Sequence, residues 1–144
     1  MTTRRRIKTP TTYWESGLSP CKTCPFRRDV PLMYWVRDEY EMLQESERQS
    51  IRPLGILFGC HKYRNQPNTC QVVCAGWLED QKRRNVPSIH LRMALAGHSP
   101  ADPEVVKRAI DTVSDGGHRL YDSIDELVKA NLAAFDLVRS TKQR

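Results

Sequence analysis

Five cysteines lie within the first 74 residues of the chain, at spacings typical of a site that binds metal through sulfur. They are Cys21, Cys24, Cys60, Cys70 and Cys74, and His61 directly follows Cys60. A C-x2-C pair such as Cys21 and Cys24 places two thiolates on one tight turn, where both can bind one metal ion or cluster. The later cysteines supply the rest of a four-sulfur shell. The spacing therefore predicts a metal site that ties separate segments together.

Two ligand sets are compatible with the spacing. Cys21-x2-Cys24 with Cys70-x3-Cys74 is the usual pattern of a two-knuckle zinc site, and it leaves Cys60 over. The other set is Cys21, Cys24, Cys60 and Cys74, with gaps of 2, 35 and 13 residues.

The type of ligand narrows the cofactor to two candidates. Thiolate is a soft ligand that suits zinc and iron–sulfur clusters, so we expect zinc, with a [4Fe–4S] cluster as the alternative. His61 is a possible replacement ligand, although adjacent Cys and His side chains rarely both reach one ion. The plainer interpretation is five separate buried thiols, since unmodified cysteine is a common core residue. Placement beside Pro, Gly or Ala favours the metal site.

Composition is that of one globular domain. The 144 residues are 39% hydrophobic and 28% charged, and no stretch approaches the roughly 18 apolar residues that a membrane span needs. The basic N-terminus lacks the apolar region of a secretory signal. An odd number of cysteines argues against a closed disulfide framework. We therefore expect a cytoplasmic protein with reduced thiols and no membrane association.

The net charge of +6 is spread unevenly. Residues 1–37 hold eight Lys and Arg against two acidic residues, and residues 51–100 are also basic. Both basic regions carry cysteines, so a shared metal would gather positive charge, which suits nucleic acid or an acidic protein as partner. The candidate nucleic-acid contacts are Arg4, Arg5, Arg6 and Lys8. The plainer interpretation is a solvated tail.

The fold expected is a small single domain, mainly α, with irregular metal-bound loops and at most a short β element. Residues 1–12 are predicted to form a flexible basic arm, and residues 13–144 a single metal-stapled helical domain. Prolines at positions 20, 25 and 31 forbid a long helix around the first cysteines. Ile56–Phe58 is a candidate strand. Helices are predicted over about 32–49, 74–84, 88–96 and 120–139, with another that starts at Asp102 and stops before Asp115.

Two of these helices have clear terminal signals. Ser88 is a candidate N-cap and Gly97 a candidate C-terminal stop for one helix. Asp102 followed by proline starts the next. The apolar face predicted for that second helix consists of Val105, Val106, Ile110 and Val113.

Three motifs resemble an uncharacterised family of small actinobacterial and phage proteins, the domain of unknown function 6283. They are Cys21-x2-Cys24-Pro-Phe-Arg-Arg-Asp-Val-Pro, Phe58-Gly-Cys60-His61-Lys62 and Cys74-Ala-Gly-Trp77-Leu78, and the resemblance spans about residues 19–95. The resemblance implies that the ligands are Cys21, Cys24, Cys60 and Cys74, with His61 beside them. No position of the family motifs corresponds to Cys70. The resemblance implies no activity.

Residues beside the cysteines are candidates for support of the metal. Arg27 and Arg28 can offset the negative charge of four thiolates on zinc, and Gly76 can let a backbone amide approach a sulfur. Pro25 would rigidify the turn behind Cys24, and Phe58 and Trp77 would exclude water from the metal.

Catalysis is the less favoured interpretation. Cys60 and His61 are neighbours whose side chains normally diverge, so they do not form a nucleophile–base pair. A zinc hydrolase would use His61 with two cysteines and Glu79 as base, but the deaminase order of motifs is absent. The expected function is a small intracellular metal-binding protein with a structural zinc ion, which acts as a regulatory or nucleic-acid-associated binding module. The alternative is a [4Fe–4S] redox-sensing or electron-transfer protein.

Overall fold

The computed structural model describes residues 11–48, 70–84, 87–98 and 101–142. Within these ranges the chain forms five helices and two short strands. In chain order the elements are β1 (Thr11–Tyr13), α1 (Arg37–Arg48), β2 (Cys70–Val72), α2 (Ala75–Arg83), α3 (Ile89–Leu95), α4 (Pro103–Thr112) and α5 (Ile124–Lys142). The predicted small, mainly helical domain is confirmed. The candidate strand Ile56–Phe58 lies outside the described residues.

The β element is a parallel pair of strands, β1 with β2. Thr11 is opposite Cys70, and Tyr13 is opposite Val72. Threonine, tyrosine and valine favour extended backbone, which explains why this short pair forms. The boundary predicted for the basic arm, at residue 12, therefore falls inside β1. The pair also brings the N-terminal segment close to the start of α2.

The predictions for α2, α3 and α4 were close to the observed bounds. In α4 the Asp102 carboxylate accepts a hydrogen bond from the Glu104 amide at 2.9 Å, as expected of an N-cap. Gly97, with φ of 85°, stops the chain after α3 in the left-handed conformation that glycine favours. Two details were wrong. Ser88 stands at the N-cap of α3 without a capping bond from its side chain, and Val105 is exposed.

Helix α1 begins at Arg37, not near position 32 as predicted, because a tertiary contact holds the preceding turn. Asn131 of α5 accepts a hydrogen bond from the Met33 amide at 2.9 Å. Met33 has φ of 61°, which is incompatible with a right-handed helix. The Tyr34 amide donates to Pro31 in the same turn. A distant amide side chain therefore overrides the local apolar pattern.

Helix α5 begins at Ile124 rather than Leu120, because Leu120 belongs to an extended contact with the N-terminal half of the chain. Leu120 forms an antiparallel bridge with Arg27, and the Tyr121 amide donates to the Phe26 carbonyl at 3.0 Å. The helix then continues to Lys142, three residues beyond the predicted end. The loop before α5 thus fixes the residues that follow Cys24.

One continuous apolar core unites the described residues. Helix α1 packs on α5, and α4 packs on both α2 and α3. Cys24 and Cys74 belong to this core rather than to the surface. Its most deeply buried side chains are Phe26, Leu43, Val73, Leu78, Leu91, Val106, Ile124, Leu127 and Val128. None of the helices in the described part of the chain is both long enough and apolar enough to span a bilayer.

Candidate metal centre

Two successive turns carry Cys21 and Cys24. The Cys24 amide donates to the Cys21 carbonyl at 3.0 Å, and the Arg27 amide donates to the Cys24 carbonyl at 3.1 Å. Cys21 is half-buried, and its Sγ lies 3.9 Å from the Thr23 hydroxyl. Cys24 is only 1% exposed. Pro25 stands between these turns, where its ring limits the backbone φ. We call residues 21–27, which form these two turns, the cysteine knuckle.

Cys74 meets the knuckle from the start of α2. It occupies the N-cap position, in extended backbone conformation, and is 3% exposed. Its side chain is in hydrogen-bond contact with Cys24. Cysteines that are far apart in sequence thus come together inside the core, as the metal prediction requires.

The Cys74 thiol holds its proton more tightly than an ordinary cysteine does. The hydrogen bond with Cys24 raises the pKa of the Cys74 thiol well above its ordinary value, and burial and the Cys24 charge act in the same direction. The backbone amides of Trp77 and Gly76 act against this rise. A bound cation would replace that proton, since metals bind cysteine as thiolate.

Gly76 is the point at which α2 touches the knuckle. A Cβ atom at this position would lie 2.6 Å from Cys24 Sγ and 2.8 Å from Phe26 Cβ. Any larger residue would force α2 away from the knuckle, because real Cβ atoms do not approach that closely. Gly76 therefore lets α2 lie close to the Cys24 sulfur. The predicted approach of a backbone amide to a metal-bound sulfur stays a prediction.

Arg27 supplies positive charge beside the sulfurs and also holds the turn. Its Nε donates to Asp29 Oδ1 at 2.8 Å, and its Nη1 donates to the Cys21 carbonyl at 3.3 Å. The hydrogen bond to Asp29 raises the pKa of Arg27, with smaller contributions from the charges of Asp29, Cys24 and Cys21. Because the guanidinium is buried, its positive charge needs a negatively charged partner, which the Asp29 carboxylate supplies.

Arg28 points to α5 instead. It pairs with Glu126 at 2.6 Å, donates to the Leu120 carbonyl at 3.0 Å and lies 4.9 Å from the centre of the Tyr121 ring. These contacts tie the knuckle to the C-terminal helix. A role of Arg28 in offsetting the charge of a metal site stays a prediction.

Aromatic side chains close the site against water. Trp77 is buried on α2, and Phe26 is buried within the knuckle itself. The Trp35 indole donates to the Thr23 carbonyl at 3.2 Å from the side of the turn before α1. Sequence reasoning missed Phe26, Trp35 and Asp29 as parts of the site. Phe26 and Asp29 stand within the first motif, which was the available signal, whereas nothing local pointed to Trp35.

The described residues contain part of the predicted ligand set. Cys21, Cys24 and Cys74 are thiols there, and no group of three His, Cys, Asp or Glu side chains among those residues is arranged to hold a metal ion. Cys70 lies in β2, four residues before Cys74. Several predicted residues lie outside the described ranges. They are Cys60, His61 and Phe58, and the basic residues Arg4, Arg5, Arg6 and Lys8.

Glu79, the candidate base of a hydrolase, has another environment. Burial raises the pKa of its carboxyl, and the charges that act on it belong to Lys82, Arg83 and Asp115. Its Oε2 is buried without a hydrogen-bond partner. The predicted hydrolytic role of Glu79 with His61 stays a prediction, because His61 lies outside the described residues.

The fold and site define a class of protein: a small, mainly helical domain in which a C-x2-C knuckle meets the N-terminus of a helix through paired buried thiols. The model of the family of unknown function DUF6283 matches residues 17–143, and the chain belongs to this family. No curated protein and no solved structure matches the chain.

Proposed function

We propose that this protein is a small metal-binding protein whose zinc ion is held by Cys21, Cys24, Cys60 and Cys74. The observation that carries the proposal is the contact between the buried Cys24 and Cys74 thiols, which join two distant segments inside the core. Cys21 stands one turn from Cys24. Cys60 would complete the set.

The surroundings suit a zinc–thiolate centre. Four thiolates on Zn²⁺ carry a net charge of −2, and the buried Arg27 lies where it offsets that charge. Phe26 and Trp77 supply the apolar enclosure that slows exchange of such a metal.

The role of the zinc would be structural. When bound, it supplies cross-links between the knuckle, α2 and the segment that carries Cys60. A good structural zinc site contributes about 10 kcal/mol of folding free energy. The residues of the chain then position these ligands: Arg27 holds the knuckle turn, and Gly76 lets α2 approach it.

Cobalt titration of cysteine variants tests the ligand set. Co²⁺ replaces zinc in tetrahedral thiolate sites and gives sulfur-to-metal absorption that scales with the number of thiolates. We expect Cys60→Ser and Cys74→Ser to lower this absorption per bound cobalt and to weaken cobalt binding, and Cys70→Ser to leave both unchanged. Loss in Cys70→Ser with retention in Cys60→Ser would instead identify the Cys70 set.

We further propose that the zinc-folded domain acts as a regulatory or nucleic-acid-associated module in the cytoplasm. The support is the net charge of +6, with Arg4, Arg5, Arg6 and Lys8 at the N-terminus. Phosphate contacts release counterions, so affinity for DNA or RNA should fall steeply as salt rises. Binding that is undetectable at low ionic strength would remove this part of the proposal.

A further inference from the structure

Five large apolar residues follow one another between the cysteine knuckle and α1, and most of them face solvent. We call residues 32–36, Leu-Met-Tyr-Trp-Val, the apolar turn. Tyr34 is 50% and Val36 64% exposed, and within the turn only Trp35 is half-buried. Soluble domains rarely leave so many neighbouring apolar side chains open to water, and where they do, the patch commonly binds a partner.

Tertiary contacts hold the apolar turn in this exposed position. The Asn131 side chain of α5 accepts a hydrogen bond from the Met33 amide at 2.9 Å. The Trp35 amide donates to the Tyr40 hydroxyl of α1 at 3.2 Å, and the Trp35 indole donates to the Thr23 carbonyl of the knuckle at 3.2 Å. Because α5, α1 and the knuckle all anchor the turn, a partner would meet a preformed surface that loses little conformational entropy on binding.

We propose that the apolar turn is the centre of an interface between two copies of this chain. From their exposed fractions, its four exposed residues present roughly 400 Å² on each copy. These residues are Leu32, Met33, Tyr34 and Val36. A standard protein–protein interface buries about 800 Å² per partner, of which somewhat more than half is apolar. The apolar turn therefore supplies the apolar area that such a dimer requires, and the inference does not depend on the proposed zinc ion.

The charges beside the apolar turn favour a second copy as the partner. On the knuckle side, the exposed Lys22 is next to Thr23, whose carbonyl binds the Trp35 indole. On the α1 side, the exposed Asp38 lies two residues beyond Val36. In a two-fold dimer the same surface meets itself, so Lys22 of one copy would face Asp38 of the other. Repulsion from the net charge of +6 is screened beyond about 8 Å at physiological salt, and it does not prevent this contact.

Sedimentation velocity of the full-length protein tests the inference. Samples between about 1 and 200 µM would be run at physiological salt with a phosphine reductant, so that intermolecular disulfides do not imitate the interface. We expect a reversible equilibrium between monomer and dimer in this range. Val36→Glu should weaken the dimer about 10-fold or more, because it places a carboxylate in the apolar centre. Val105→Glu is the matched control at an exposed valine of α4, a helix that packs on α2 and α3, and it should leave the dimer unchanged.

Exchange of the two charges tests the two-fold arrangement, with circular dichroism to show that each variant is folded. Lys22→Glu or Asp38→Lys alone should weaken the dimer, since like charges would then face each other, and the double variant should regain the wild-type affinity. A wild-type chain that stays monomeric over the whole range would overturn the inference and leave the apolar turn to a different partner. Equal weakening by Val36→Glu and Val105→Glu, or a double variant without rescue, would overturn it as well.

Discussion

Two residues shape the knuckle and its contact with α2: Gly76 lets α2 approach because it has no side chain, and Arg27 holds the knuckle turn. Alanine normally stabilises a helix relative to glycine by up to about 1 kcal/mol. At position 76 the space for a methyl group is already taken by Cys24 Sγ and Phe26. Arg27 is the buried cation that links the Cys21 carbonyl to Asp29. Both residues act on the sulfurs without binding a metal themselves.

Gly76→Ala should weaken the site despite its better helix propensity. The added methyl would overpack the knuckle, which typically costs about 1–3 kcal/mol of unfolding free energy. It would also displace Cys24, so we expect zinc affinity to fall about 10-fold or more. Zinc competition with a chromophoric chelator measures this.

Gly117→Ala is the matched control for that variant. Gly117 has φ of 79° and open space around the added Cβ, so alanine there costs about 1–2 kcal/mol through backbone strain alone. Zinc affinity should stay unchanged. Equal zinc affinities in the two variants would contradict the account of Gly76.

Asp29→Asn should lower the melting temperature and change its pH dependence. The Arg27 hydrogen bond lowers the pKa of Asp29 from its ordinary value of 3.8. Its ion pair therefore stabilises the folded state above about pH 4, and this contribution is lost as the pH falls through the lower folded-state pKa. The variant lacks it at neutral pH, so the two melting curves should converge as the pH is lowered.

Asp125→Asn provides the comparison, because it removes the exposed pair with Lys129 on α5. Exposed pairs contribute little, so its melting temperature should stay near that of the wild-type protein at neutral pH. If Asp29→Asn and Asp125→Asn lower the melting temperature equally, the Arg27–Asp29 ion pair stabilises the fold no more than an exposed ion pair does.

At the scale of the elements, packing of α1 on α5 joins the N-terminal half of the described chain to its last helix. Helix α5 presents Leu127 and Val128 to the core, and α1 presents Tyr40 and Leu43. These residues recur at helical spacing, which is why the existence of both helices was predictable from sequence. The residue at which each helix begins was not predictable in this way. Asn131 fixes the turn before α1, and Leu120 pairs with Arg27, both over long sequence separations.

Leu127→Ala should destabilise the domain by about 2–5 kcal/mol, because Leu127 is fully buried (0% exposed) and alanine would leave a cavity. Leu137→Ala, on the same helix but 68% exposed, should change stability by less than about 0.5 kcal/mol. Urea unfolding followed by circular dichroism compares them. A similar loss in both variants would show that α5 does not pack as described.

At the scale of the whole molecule, the sequence predicted the helices around the candidate site better than the contacts between them. The C-x2-C turn is a local feature, and the start of α2 near Cys74 follows from the chain's helical pattern. The meeting of Cys24 with Cys74 depends instead on the core that α2 shares with Phe26. Arg27 pairs with Asp29 across a turn, and the hydrophobic periodicity of the sequence does not predict such a pair. Trp35 reaches the knuckle for the same reason. Tertiary contacts of this kind have no local signal.

The central claim, a zinc ion held by four cysteines, is tested most directly by elemental analysis and an absorption spectrum of the protein. The full-length chain should be purified anaerobically without chelator. The account predicts one zinc per chain and no visible absorption. Iron with sulfide and a brown colour would contradict it in favour of a [4Fe–4S] cluster, and protein without metal would leave Cys24 and Cys74 as a buried thiol pair.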